Sequence, residues 1–368
     1  MSLAIGIVGL PNVGKSTLFN ALTKAAVQSA NYPFCTIEPN VGIVDVPDSR
    51  LAELVRLVQP KRVVPAQCEF VDIAGLVQGA SKGEGLGNKF LGHIREVYAI
   101  VHVVRAFADE QIIHVSGIVD PASDIEVINL ELILSDLEIV EKRRDKLQRQ
   151  RKSGDKEAIH EDEVLSRLQE VLTAGKKISS MDLNEEDQLC IRSLNLLTNK
   201  RVLYVANIGE DELLAGEEQA NPYLQKIREI AQSEGADVLA LSAKLEQELI
   251  GLEDSERDAF MQELGVKETG LNKLIASSYA LLNLVTYFTA GEQEVRAWTI
   301  TDGTKAPQAA AVIHTDMERG FIRAETIAYE DFCACGSMAV ARERGLLRLE
   351  GKEYVVKDGD IMHFRFSV

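Results

Sequence analysis

The chain has 368 residues, 46% hydrophobic and 26% charged, and its 57 acidic against 40 basic residues leave a net charge of −17. These values are typical of a globular protein with two or three domains, and the excess of acid argues against general coating of nucleic acid. No stretch approaches the ~20 apolar residues of a membrane span, residues 1–10 run into a first strand rather than a signal peptide, and five scattered cysteines indicate reduced thiols and a cytoplasmic location.

The first predicted element is a strand at residues 3–8, followed by a glycine-bounded loop and a helical stretch at residues 17–23. The loop, residues 9–16, reads GLPNVGKS and fills every fixed position of the Walker A phosphate-binding motif. Backbone N–H groups of such a loop point at phosphates, Lys15 can reach the β- and γ-phosphates, and the Ser16 hydroxyl can ligate Mg²⁺. Lys15 is therefore also a predicted catalytic residue. The nucleotide-binding residues predicted here are Asn12, Val13, Gly14, Lys15, Ser16 and Thr17.

Two motifs that belong around a γ-phosphate follow in chain order. Thr36 lies in a polar, proline-marked loop and is a candidate for the switch threonine that closes on Mg²⁺. A predicted strand at residues 67–73 ends in Asp-x-x-Gly, where Asp72 would hold the Mg²⁺ shell and the Gly75 N–H would contact the γ-phosphate. The predicted Mg²⁺ ligands are thus Ser16, Thr36 and Asp72.

The segment after Asp-x-x-Gly predicts slow hydrolysis. Residues 74–92 are rich in glycine, which suits a switch loop and also a plain flexible loop. Ras-like enzymes carry a water-orienting Gln next in line, whereas this chain has Leu76. The in-chain substitute would be His114, a predicted catalytic residue, although a histidine without a role fits the sequence as well. Asn12 offers another route as a K⁺ ligand, as in related K⁺-activated enzymes, and a partner could supply the missing group.

Strands and helices alternate up to about residue 120, as a parallel α/β sheet requires. A long helical pattern then covers residues 125–151, with Ser123 or Asp124 as its expected N-cap. A second pattern covers residues 157–174. The short polar break between the two predicts an antiparallel helical hairpin that is inserted into the nucleotide-binding domain.

The element that should read the base follows a strand predicted at residues 201–206. Asn207-Ile208-Gly209-Glu210 stands where a GTPase would carry Asn-Lys-x-Asp. The Asp of that motif accepts hydrogen bonds from guanine N1–H and the exocyclic amine, which adenine does not present in that pattern. With Ile208 in place of Lys and the longer Glu210 in place of Asp, guanine selectivity should be lost and ATP should be accepted. The alternative is a GTPase that tolerates both changes.

The last predicted elements complete the base site and add a domain. Ser242, Ala243 and Lys244 follow a strand at residues 238–241 and could contact the base through their backbone. From about residue 281 the pattern becomes β-rich, which predicts a small α+β domain. Its predicted strands cover residues 285–288, 295–300, 322–324 and 354–366.

The motifs at residues 9–19, 32–40, 72–92, 207–210 and 314–322 together resemble the Obg-like ATPase, or YchF, family, and the resemblance extends over essentially the whole chain. It implies a P-loop NTPase of the TRAFAC class with a parallel sheet, an inserted antiparallel helical hairpin and a C-terminal β-grasp-like TGS domain. It further implies an ATPase that also accepts GTP, uses Mg²⁺, binds the ribosome and acts in translation or the stress response.

We expect three domains on this basis. Residues 1–123 and 199–280 would form the Obg-type nucleotide-binding domain, residues 124–198 the helical hairpin, and residues 281–368 the TGS domain. Residues 141–152 hold seven Lys or Arg against two acids, which fits a ribosome-contacting surface and equally a solvated helix face.

Two functions from different classes remain open. One is a regulatory ATPase that reports its nucleotide state to the ribosome and turns over slowly without an activator. The other is a nucleotide-gated binding protein with negligible hydrolysis, and a GTP-preferring switch is a further alternative. The complete set of predicted Mg²⁺ and phosphate groups favours the ATPase. A metabolic kinase is disfavoured because no acceptor pocket can be identified in the sequence.

Overall fold

The computed structural model describes residues 3–29, 40–73, 86–109, 112, 118–214, 216, 220–263 and 265–367. The chain forms two compact units, one of Met1–Gly42 and Glu69–Leu274 and the other of Ile43–Cys68 and Ile275–Val368. The sequence-based division placed residues 43–68 in the nucleotide-binding domain, whereas here they belong with the C-terminal residues. Among the described residues, no helix has the length and apolar character needed to cross a membrane.

Strands and helices alternate through the first unit, while the second combines a mixed sheet with mostly short helices. The described strands are β1 (Ala4–Val8), β2 (Val41–Asp45), β3 (Val63–Val64), β4 (Gln67–Asp72), β5 (Ala99–Arg105), β6 (Arg201–Asn207), β7 (Asp237–Leu241), β8 (Leu284–Ala290), β9 (Val295–Thr301), β10 (Phe321–Ile327), β11 (Arg348–Glu350) and β12 (Ile361–Phe366). The described helices are α1 (Lys15–Ser29), α2 (Ser49–Val58), α3 (Leu86–Glu96), α4 (Pro121–Lys152), α5 (Lys156–Thr173), α6 (Glu185–Ile191), α7 (Glu210–Leu214), α8 (Pro222–Glu234), α9 (Ala243–Ile250), α10 (Asp254–Glu263), α11 (Gly270–Leu281), α12 (Ala306–Ile313), α13 (Thr315–Arg319), α14 (Tyr329–Cys335) and α15 (Met338–Glu343).

The sheet of the first unit has the strand order β2-β4-β1-β5-β6-β7. Strands β4, β1, β5, β6 and β7 run parallel to their neighbours in that order. Ile7 pairs with Asp72, and Asn207 pairs with both Arg105 and Leu241, so the carboxyl ends of these strands lie along one edge. Open α/β sheets bind their ligands at this edge. The predicted α/β sheet is confirmed, and the edge holds the residues that the sequence selected.

Helix α4 starts earlier than the sequence analysis expected. Asp120 is its N-cap, with a side chain that accepts hydrogen bonds from the N–H groups of Ala122 and Ser123 at 3.1 and 3.4 Å. The prediction of Ser123 or Asp124 as the cap is therefore wrong. Proline is favoured in the first turn because it has no N–H to satisfy, so Pro121 opens the helix and the aspartate before it becomes the cap.

Helices α4 and α5 form the predicted antiparallel hairpin. Gly154 adopts a φ of +82° in the connecting turn, and Asp155 caps α5. Ion pairs cross between the helices, with Arg143 to Glu161 at 2.6 Å as one example. The helices share an apolar core with the segment that follows them. Its fully buried members include Val140, Leu147, Val164, Leu165, Leu168 and Ile178.

A buried polar cluster joins the end of this insertion to the sheet. Lys177 and the hydroxyl of Tyr204 both donate to the carboxylate of Glu234, at 2.5 and 2.6 Å. His102 packs its ring 5.3 Å from that of Tyr204, and burial, helped by the charge of Lys177, lowers the pKa of the histidine to about 3. This histidine is therefore neutral at physiological pH, and its role is packing.

The second unit is a mixed sheet with helices, and it draws in a segment from far upstream. Its strand order is β11-β10-β12-β8-β9-β3, in which β8–β9, β10–β11 and β10–β12 are antiparallel and β12–β8 and β3–β9 are parallel. Arg50 on α2 binds Asp48 and Asp358, each at 2.7 Å, and so ties the upstream segment to the C-terminal residues.

One predicted strand of this unit is too long. Residues 354–366 were expected to be extended, but β12 begins at Ile361. Before it, the carboxylate of Asp360 accepts hydrogen bonds from the Tyr354 hydroxyl at 2.6 Å and the Lys357 N–H at 2.9 Å, which closes a turn. Of the two valines in this stretch, Val356 is buried in the core of the unit while Val355 is exposed. The TGS-like topology of the unit stays a prediction.

Candidate functional site

The phosphate loop joins the end of β1 to the start of α1. Asn12 and Gly14 have φ values of +63° and +93°, so the backbone turns in the left-handed region twice within three residues. Such conformations are favourable for glycine and tolerated by asparagine. Helix α1 then starts at Lys15, and the Leu18 N–H donates to the Gly14 carbonyl at 2.9 Å. The N–H groups before this first bond have no partner within the helix, which is the arrangement that binds phosphate.

Lys15 is buried, and its ammonium contacts the carboxylate of Asp72 at the end of β4. These residues are 57 positions apart in sequence, and the pairing of Ile7 with Asp72 brings them together. The residue predicted to contact the phosphates and a residue predicted to ligate Mg²⁺ are thus adjacent.

The donor set around Asp72 fits Mg²⁺. Ser16 is exposed at the start of α1, and its hydroxyl and the Asp72 carboxylate are hard oxygen donors. Among the described residues there is no cluster of three or more His, Cys, Asp or Glu that would form a metal cage. Mg²⁺ in nucleotide sites is held by one or two protein oxygens together with phosphate oxygens and water, which agrees with this sparse set.

Asn207 bonds to the phosphate loop and to the loop after β7. Its side-chain amide donates to the Val13 carbonyl at 2.9 Å, and its side-chain oxygen accepts from the Ala243 N–H at 2.9 Å. Both bonds are buried, and Ser242 caps helix α9 beside them. The residues predicted to bind phosphates and those predicted to bind the base therefore form one hydrogen-bonded site.

The two altered positions of the base motif differ in environment. The side chain of Ile208 is buried at 2% exposure in an apolar cluster, and its N–H donates to the Leu241 carbonyl at 2.9 Å. Glu210 opens helix α7, and its carboxylate lies 2.5 Å from the ammonium of Lys244. The sequence analysis did not foresee this ion pair. The sequence contains one indication of it, because Glu210 and Lys244 each follow shortly after a strand of the same sheet.

Arg105 is a second feature that the sequence analysis missed. It ends β5 with 1% exposure, and its guanidinium donates to the carbonyls of Phe107, Asp109 and Ile112 at 3.1, 3.1 and 2.9 Å. It thereby holds the backbone at these three residues close to the end of β5. A lone arginine at the end of an otherwise apolar strand is the signal that could have identified it.

The predicted site residues divide into two groups. Those at the carboxyl edge of the sheet are brought together, namely Asn12, Val13, Gly14, Lys15, Ser16, Thr17, Asp72, Asn207, Ile208, Glu210, Ser242, Ala243 and Lys244. Thr36, Gly75 and His114 lie outside the described residues. The roles assigned to all of them stay predictions.

Two known families match parts of the chain. Residues 4–135 match the family described as "50S ribosome-binding GTPase", and residues 284–367 match the C-terminal family of YchF GTPases, described as a protein of unknown function. Proteins named "Ribosome-binding ATPase YchF" from Bacillus subtilis, Haemophilus influenzae and Escherichia coli O157:H7 are 60%, 56% and 55% identical, and each alignment covers all of both chains.

Solved structures agree with these relatives. The structure of the YchF GTPase of Schizosaccharomyces pombe is similar with a TM-score of 0.90 and 42% identity, over 99% of this chain and 98% of that one. A GTP-binding protein from Pyrococcus horikoshii OT3 covers both chains fully with a TM-score of 0.61 and 22% identity, and so shares the fold. Since the Bacillus subtilis relative is 60% identical over the whole length, this protein belongs to the YchF family.

Proposed function

We propose that this protein is a Mg²⁺-dependent ATPase that also accepts GTP, binds the ribosome, and acts in the cytoplasm as a nucleotide-state switch in translation or the stress response. The observation that carries the proposal is the shared site edge, where Lys15 contacts Asp72 and Asn207 bonds to the same phosphate loop. The relatives named as ribosome-binding ATPases support the ribosome as partner.

The phosphate loop performs the binding step. Its N–H groups and the ammonium of Lys15 meet the negative charge of the β- and γ-phosphates, and the N-terminus of α1 adds its dipole. Ser16, Asp72 and the predicted Thr36 would hold Mg²⁺, which neutralises charge on the β- and γ-phosphate oxygens. Lys15 and Asp72 are in contact at this edge of the sheet, so the lysine charge and the proposed Mg²⁺ ligand would act on the same phosphates.

The base preference follows from the two altered positions. The buried side chain of Ile208 does not extend over the base as the lysine of a GTPase motif can. The Glu210 carboxylate is engaged by Lys244, so it is a poor acceptor for guanine N1–H and the exocyclic amine. Adenine needs neither contact. Relative to a site with the GTPase motif, these changes should therefore lower the affinity for ATP less than the affinity for GTP.

Hydrolysis requires a group that orients the attacking water on the γ-phosphorus, so that the bond to the β–γ bridging oxygen breaks and ADP and phosphate leave. We propose His114 for this role, because Leu76 replaces the usual Gln. Alternatively, a K⁺ ion held by Asn12 would assist hydrolysis in place of the missing Gln. Either way turnover without the ribosome should be slow, since a positioning group worth orders of magnitude is missing.

The proposal is tested by calorimetric binding of ATP and GTP with Mg²⁺, together with phosphate release in the presence and absence of ribosomes. We expect ATP to bind as tightly as GTP or more tightly, ribosomes to accelerate its hydrolysis, and His114→Ala to lower turnover without changing affinity. GTP binding tighter by a hundredfold, about 2.7 kcal/mol, would contradict the ATPase assignment. Binding without any phosphate release, even with ribosomes, would identify a nucleotide-gated binding protein instead.

The helical hairpin is our proposed ribosome contact, with the C-terminal residues 281–368 as a second. Its basic stretch divides into two sets. Lys142, Arg143, Arg144 and Arg151 are engaged in ion pairs with acids of the hairpin itself. Lys146, Arg149 and Lys152 are exposed and make no ion pair within the described part of the chain. The second set has no acidic partner to displace among the described residues, so we propose that it makes the main contacts with phosphates of ribosomal RNA.

Changing Lys146, Arg149 and Lys152 together to Gln should weaken ribosome binding at least about tenfold and lower the slope of log affinity against log salt by roughly three. Hydrolysis without ribosomes should be unchanged. The matched control removes three exposed lysines elsewhere, Lys24, Lys226 and Lys267, with the same change in net charge. Equal weakening in both variants would mean that overall charge, rather than the hairpin, controls binding.

A further inference from the structure

The ion pair between Glu210 and Lys244 is held in place by the sheet. Glu210 begins α7 directly after β6, and Lys244 is the second residue of α9 directly after β7. Strands β6 and β7 are adjacent and in register, with Asn207 opposite Leu241, and the Ile208 N–H continues the ladder to Leu241. The pair therefore spans the mouth of the base site between two neighbouring strand ends.

We infer that Lys244 is a specificity-determining residue, which disfavours guanine by engaging the carboxylate that would otherwise accept hydrogen bonds from it. The inference deepens the proposed function, on which it rests for the position of the base. It assigns to the lysine side chain a role distinct from any backbone contact with the base.

The chemistry of the two bases explains why this pairing matters. Guanine presents two parallel donors, N1–H and the 2-amine, and a free carboxylate meets them with two oxygens. A carboxylate that faces an ammonium at 2.5 Å already has a charged donor and is oriented toward it. Adenine presents an acceptor at N1, so the loss of a free carboxylate costs it nothing.

The surrounding charges keep Lys244 protonated. Glu210 is the main cause of the raised pKa of this lysine, and the more distant Glu248 and Asp211 act in the same direction. Glu212, the next acid on α7, is occupied elsewhere, since it accepts from the Asn221 amide at 2.6 Å. Glu210 is thus the acid on α7 that Lys244 pairs with directly.

The expected effect is moderate because the pair is at the surface. The Lys244 side chain is 67% exposed and that of Glu210 27%. Exposed ion pairs have small effects, so release of the carboxylate should change the ratio of GTP to ATP affinity by about fivefold, which corresponds to ~1 kcal/mol. Lys244 therefore adjusts a preference whose larger part comes from Ile208 and from the extra methylene of Glu210.

The test is equilibrium binding of ATP, GTP and ITP, each with Mg²⁺, to the full-length protein and its variants. Lys244→Met should raise the GTP-to-ATP affinity ratio about fivefold, and should favour GTP over ITP, which lacks the 2-amine. Lys244→Arg keeps the charge and should keep the wild-type ratio. In the Lys244→Met background, Glu210→Met should cancel the gain, because the acceptor is then absent.

A matched control separates the pair from a general change in charge. Lys226→Met on α8 breaks an exposed ion pair with Glu229 and has the same effect on net charge, so it should leave the ratio unchanged. A ratio within twofold of wild type in Lys244→Met, or a gain that survives Glu210→Met, would overturn the inference. Strong GTP preference in the wild-type protein would instead overturn the proposed function, and the two failures are therefore distinguishable.

Discussion

Lys15→Ala is expected to weaken binding of ATP with Mg²⁺ at least about a hundredfold, which corresponds to 2.7 kcal/mol. The ammonium is the positive charge that the structure places in the phosphate loop, and its removal also leaves the Asp72 carboxylate without this partner beside the incoming phosphates. The site then loses an attraction and gains a repulsion. Calorimetric titration with ATP measures the change directly.

Loss of folding has to be separated from loss of binding in that experiment. Removal of a partner from a buried pair costs about 1–3 kcal/mol of unfolding free energy, which denaturant titration would report. Asp72→Asn added to Lys15→Ala should restore much of that stability, but ATP affinity should stay well below wild type because the lysine charge is still missing. Lys24→Ala, at an exposed position on the same helix, is the control. Retained affinity in a folded Lys15→Ala protein would exclude this loop as the phosphate site.

Gly14→Ala is the second change with a large expected effect. Gly14 has a φ of +93°, and a Cβ there would lie 2.2 Å from the side-chain nitrogen of Asn207. That nitrogen cannot move freely, because Asn207 bonds to Val13 and Ala243 at once. We expect the unfolding free energy to fall by about 3 kcal/mol, from backbone strain plus overpacking, and ATP binding to be lost.

The hairpin turn supplies a matched control for Gly14. Gly154 has a similar φ of +82°, but a Cβ there would meet nothing within 4 Å. Gly154→Ala should therefore show the strain alone, roughly 1–2 kcal/mol by denaturant titration, with unchanged ATP affinity. If the two variants lost equal stability and both kept ATP binding, the close approach of Asn207 to the phosphate loop would contribute neither to the unfolding free energy nor to ATP affinity.

These two sites share one consequence for nucleotide recognition. Asn207 holds the Val13 carbonyl and the Ala243 N–H together, so the phosphate loop and the loop beside the base are a single hydrogen-bonded unit. Both hydrogen bonds are buried, so a substitution at Asn207 would leave polar groups of both loops without their partner, which is costly.

Much of the site could be predicted from sequence because its chemistry is local. The loop at residues 9–16 is defined by consecutive residues whose backbone conformation and donor groups follow from residue type. The hairpin was also predictable, since apolar periodicity and a polar break are properties of neighbouring residues. The errors in these elements are at the ends of helices. For example, α4 begins at Pro121 with Asp120 as its N-cap, a few residues before the predicted cap.

Only the tertiary structure decided the contacts between distant residues. The pairing of Lys15 with Asp72 and of Glu210 with Lys244 depends on which strands are neighbours and in what register, which no local pattern specifies. The same reason explains why the sequence analysis did not foresee that residues 43–68 group with the C-terminal unit, where β3 pairs with β9. By itself, the sequence determined that a nucleotide is bound and which residues are available for it. The strand order determined which of those residues meet, because long-range pairing is the result of the whole chain's packing.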